Sequence, residues 1–91
     1  MQDPTVNLGD DEKRSARFAL SQIWAEYERA RAKYPPMSGP HAGWAILFEE
    51  VDELWDEVKA HVQNKQRMGD EAMQVGAMAL AFMVEVCGAG Q

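Results

Sequence analysis

The sequence predicts an all-α protein, an antiparallel bundle of three main helices per chain that is completed by homo-oligomerisation. Three observations carry this. Apolar residues recur at three- and four-residue steps in separate segments, the spacing of helices with one buried face. Those segments are divided by Tyr34-Pro35-Pro36-Met37-Ser38-Gly39-Pro40, where three prolines and a glycine stop a helix, and by a polar turn over 63–69. The last segment is apolar nearly all round, and a helix without a polar face must be covered on several sides.

Residues 1–9 contain Pro4, Asn7 and Gly9 without periodicity and read as an N-terminal arm of a single domain spanning 1–91. A first helix is expected from about Asp11 to Lys33, capped by Asp10 or Asp11. Ala16, Leu20, Ile23, Trp24 and Tyr27 form its apolar face, while Arg14, Arg17, Glu26, Arg29 and Arg31 face water. A second helix runs from Pro40 or His41 to Val62, with Leu47, Val51, Leu54, Val58 and Val62 as its stripe. Asp70 caps the third, Glu71–Val86. In it Met73, Val75, Met78, Leu80, Phe82 and Met83 are interleaved with Ala72, Gly76, Ala77, Ala79 and Ala81, small enough for other helices to approach closely. Three helices from one chain cannot surround it, so a partner copy is expected, as homodimer or homotetramer. Residues 88–91 are a tail.

Composition narrows the function classes. With 46% hydrophobic and 26% charged residues the chain is globular in composition. Its net charge of −6 argues against a nucleic-acid partner, whose phosphates need a basic surface. A nucleotide remains possible where a divalent cation bridges two sets of negative charge. Cys87 is the one cysteine, so no internal disulfide forms, which fits a reducing, cytoplasmic location. Met1–Glu12 lacks the basic and apolar start of a signal peptide, and the apolar run Ala72–Cys87 falls short of the roughly 20 residues of a membrane span.

One stretch carries chemistry. Residues 48–58 hold six acids in eleven residues and still read as helix. Glu50, Glu53 and Glu57 stand in a row beside the apolar stripe, while Asp52 and Asp56 point away from it. Like charges at these spacings repel unless something neutralises them, and a row of carboxylates at the edge of a core suits a hard divalent cation. Downstream, Glu71-Ala72-Met73-Gln74 repeats the spacing, with seventeen residues between Glu53 and Glu71. Two helices joined by a short turn bring the two pairs face to face. Lys65 and Arg67, in the turn between them, are placed to reach a triphosphate.

Glu50-x-x-Glu53, this spacer and Glu71-x-x-Gln74 resemble the MazG-like all-α nucleoside triphosphate pyrophosphohydrolases, over residues 41–86. The family pattern is ExxE, a spacer, then ExxD, so Gln74 stands where the family has Asp. The resemblance implies hydrolysis between the α- and β-phosphates of a nucleoside triphosphate, giving a nucleoside monophosphate and pyrophosphate. It implies Mg²⁺ held by Glu50, Glu53, Glu71 and Gln74, with the three glutamates as the catalytic set. Lys65, Arg67 or an arginine of the first helix would meet the outer phosphates, and Trp44 or Trp24 would stack on the base. The alternative is a non-catalytic or degenerate homo-oligomeric binding bundle, which the neutral Gln74 favours.

Overall fold

The computed structural model describes residues 9–91, so the expected arm over 1–8 lies outside the described residues. Three helices form: α1 Asp10–Lys33, α2 Pro40–Val58 and α3 Lys65–Ala81, the last running on into a π-helical turn, Phe82–Val86. There is no strand among the described residues, and no helix is long and apolar enough to cross a membrane. The fold class is all-α.

α3 lies between the other two helices, whose backbones do not come together. Gly43 meets Phe82 while Glu57 meets Arg67, so α2 and α3 run antiparallel. Ile23 meets Gly76 while Arg31 meets Glu85, so α1 runs parallel to α3. The approach on both sides is close. A Cβ placed on Gly43 would lie 2.9 Å from the Phe82 ring, and one on Gly76 would lie 2.7 Å from Ile23 Cδ1. Ala77 and Ala81, also on α3, are fully covered. The small residues of the last helix therefore do admit close neighbours, but the neighbours come from the same chain.

Several boundaries and faces differ from expectation. α1 is capped by Gly9 rather than by Asp10 or Asp11. Both acids fall in its first turn, where they favour the positive end of the helix dipole, and Asp11 pairs with Arg14. α2 ends at Val58, not Val62, because Gln63 Nε2 donates to the Val58 carbonyl and residues 59–64 leave the helix. α3 begins at Lys65, ahead of Asp70. Asn64 is its cap, with Oδ1 accepting from the Arg67 backbone N–H at 3.0 Å. Glu26, expected in water, is buried, and its charge is met by Arg29 one turn on.

The core is small. Among the described residues, Met37, Ala77 and Ala81 are the buried apolar ones, and no large side chain is fully buried. On α2, Leu47 and Leu54 are half-buried, whereas Val51, Val58 and Val62 from the same expected stripe are exposed. Leu20 and Trp24, expected on the inner face of α1, are also exposed.

Two outcomes follow from these contacts. Asn64→Ala should cost about 1 kcal/mol in urea unfolding, while Asp70→Ala should leave stability within about 0.5 kcal/mol, as for an ordinary surface change. The reverse order would place the start of α3 at Asp70. Gly43→Ala should destabilise by about 1–2 kcal/mol despite its better helix propensity, because the Phe82 ring cannot bend away. Gly76→Ala should come out nearer to neutral, since the end of Ile23 can rotate.

Candidate metal centre

α2 presents Glu50 and Glu53 one turn apart, and α3 presents Glu71 opposite them. One carboxylate oxygen of each lies within 4.8 Å of the others. Glu50 and Glu71 are half-buried and Glu53 is exposed. Burial, followed by the charges of Glu53 and Glu71, pushes the Glu50 carboxyl above its ordinary range. Burial, then the charges of Glu53 and Glu57 among others, does the same to Glu71. Glu71 Oε2 is buried without a hydrogen-bond partner. Three hard oxygen donors from two helices, one of them unsatisfied, are a donor set that fits Mg²⁺ or a similar cation.

Glu57 continues the row on α2 but does not join the group. Arg67 Nε lies 3.2 Å from its carboxylate and neutralises it, tying the end of α2 to the start of α3. Arg67, a candidate for phosphate contact, is thus engaged in an ion pair. Lys65 is exposed in the first turn of α3, with no ion-pair partner among the described residues. Trp44 packs on Phe48, ring centroids 5.9 Å apart, on the outer side of α2. None of these three lines the cleft next to the carboxylates.

That cleft is about 740 Å³ and lies where α1 and α2 stay apart. Glu49, Glu50 and Gln74 line one side, Arg29, Arg31 and Lys33 line the other together with Glu26, and Glu85 also borders it. Gln74 and Glu50 thus share the cleft, while Glu53 and Glu71 do not line it. The residues closing it came from outside the acidic motif. Glu85, in the π-helical turn, accepts from the Met37 backbone N–H at 2.8 Å and pairs with Arg31 at 3.4 Å, fixing both the proline segment and the cationic wall. A lone acid inside an apolar helix was the signal for this, since a charge there has to find a partner. Lys33 Nζ sits 5.3 Å from the Tyr34 ring centre.

Comparison with family models found none that matches, and comparisons with curated proteins and with solved structures found no significant match.

The raised carboxyls set a pH dependence. A folded-state pKa above the unfolded value contributes stability below the ordinary value of 4.5, and that contribution is lost as pH rises through the raised range. Metal-free protein should therefore lose melting temperature from pH 4.5 towards neutrality. Glu53→Gln, which removes the neighbouring charge acting on both, should flatten the loss. Identical profiles for the two proteins in chelator would mean that the three carboxylates do not interact.

Proposed function

We propose that this protein is a Mg²⁺-dependent nucleoside triphosphate pyrophosphohydrolase of the MazG-like kind, acting as a homodimer or homotetramer in the cytoplasm. One observation carries the reading: Glu50, Glu53 and Glu71 converge from α2 and α3, and Glu50 lines a cleft that also holds Lys33 and two arginines, Arg29 and Arg31, paired with Glu26 and Glu85. A triphosphate with a divalent cation needs both kinds of surface at once. Glu50, Glu53 and Glu71 would hold the cation, which when bound offsets phosphate charge and polarises the phosphoryl oxygens. Arg29, Arg31 and Lys33 take the outer phosphates, the role that the sequence offered to Lys65, Arg67 or an arginine of the first helix. Arg31 is pre-oriented for this by Glu85, and positioning of this kind supplies much of the catalysis in phosphoryl transfer. Glu50, at the cleft and with its carboxyl raised, is placed to take the proton of an attacking water at its carboxylate oxygens.

Gln74 supports a second reading, a non-catalytic or degenerate binding bundle. It lines the cleft one turn after Glu71 and offers a neutral amide where an acid would add charge to the donor set.

The two readings separate in one series of measurements. Under the first, Mg²⁺ should raise the melting temperature, a gain of about 2.7 kcal/mol at one hundred times the dissociation constant. A panel of nucleoside triphosphates should release pyrophosphate, and Glu53→Gln should abolish both effects while keeping the helices. Gln74→Asp should tighten Mg²⁺ binding and raise the rate. A Gln74→Asp protein that is less stable and indifferent to Mg²⁺ would mean that Glu50, Glu53 and Glu71 hold no metal. Mg²⁺ stabilisation without turnover on any triphosphate would favour the binding bundle.

A further inference from the structure

The outward side of α2 carries a second apolar stripe, Trp44, Phe48, Val51, Trp55 and Val58, at alternating steps of four and three. This is the seam by which one helix packs along another. It has no partner in the chain. Trp44 is 57% exposed, Phe48 52% and Trp55 55%, while the adjacent inward stripe, with Gly43, Leu47 and Leu54, faces α3. α1 also leaves Leu20 and Trp24 exposed. These two patches cannot cover each other within one chain, because the backbones of α1 and α2 do not come together.

We propose that the outer seam of α2 docks onto the Leu20–Trp24 face of α1 in a second copy of this chain, and that a two-fold axis repeats the contact. The proposal rests on the homo-oligomeric reading above and says which faces meet. Charge selects the pairing. Asp52 lies beside the α2 seam, where Asp56 is already paired with Lys59, and Lys13 and Arg17 accompany the α1 patch along its helix. Neither Asp52 nor Arg17 has an ion pair among the described residues. Two α2 seams packed on each other would set acid against acid, whereas α1 against α2 sets base against acid. The area agrees. With large aromatic side chains burying about 150–250 Å² each, the two patches together offer on the order of 700 Å² per copy, near the roughly 800 Å² of a stable pair. α3, apolar though it is, is already covered on two sides by its own chain and contributes little of this surface.

The test is sedimentation of the full chain at micromolar concentration, with circular dichroism to check that the helices persist. Wild type should be dimeric or larger. Trp55→Glu and Trp24→Glu should each weaken association by about 30-fold or more, the loss for a central aromatic anchor. Asp52→Arg and Arg17→Glu should each weaken it by about threefold, and the double variant should restore it. An oligomer that ignores both tryptophan changes overturns the assigned faces and leaves homo-oligomerisation standing. Strengthening by Asp52→Arg alone, with no effect of Arg17→Glu, would assign the contact to two α2 helices and also overturn the pairing. A wild-type monomer would remove the oligomeric reading together with the interface, and pyrophosphate release would still report separately on the hydrolase.

Discussion

The structure depends on how closely α3 can be approached from both sides. At Gly43 the Phe82 ring lies against bare α2 backbone, and at Gly76 the end of Ile23 lies against bare α3 backbone. Those contacts set the distances from which the rest follows. α2 and α3 come near enough, and antiparallel, for Glu71 to stand opposite Glu50 and Glu53. α1 packs on the far flank of the same helix and so cannot also reach α2. The cleft is the space that this separation leaves. Tight helix packing and an open groove are two results of one geometry.

Charge is then distributed unequally around that groove. Glu57 is met by Arg67 and Glu85 by Arg31 across elements, and the buried Glu26 by Arg29 within α1, so these acids each have a guanidinium. Arginine suits this role because its planar fork holds a fixed geometry and stays charged. Glu50, Glu53 and Glu71 are arranged otherwise: their near neighbours are carboxylates, and two of the three are held above their ordinary protonation range. Glu50, Glu53 and Glu71 are where carboxylates without an ion pair come within 4.8 Å of one another from two helices. That arrangement supports reading the trio as a site for a cation brought from outside.

How much of this was legible differs from feature to feature. The helical class and the pairing of Glu50 with Glu53 followed from local spacing, because a three-residue step puts both on one helix face, whereas Glu71 joins them through the turn that folds α3 back on α2. The buried side of α2 did not follow. Its two apolar stripes lie one residue apart in register, and only packing against α3 decides that Leu47 and Leu54 turn inward while Val51 and Val58 stay out. The start of α3 was misplaced at Asp70 for a similar reason: Asn64 is an equally good cap, and its hydrogen bond from the Arg67 backbone N–H starts the helix at Lys65. The links of Glu85 to Arg31 and to the Met37 backbone join segments distant in sequence, which no local pattern encodes.

That both early helices pack only on the last one bears on how the chain acquires its shape. The backbones of α1 and α2 do not come together, so each finds its main packing partner in α3. In folded proteins most helical stability comes from packing of one helix face rather than from propensity. Glu50 and Glu53 on α2 thus meet Glu71 only when α3 is in place, and both earlier helices find their shared packing partner in the last one along the sequence.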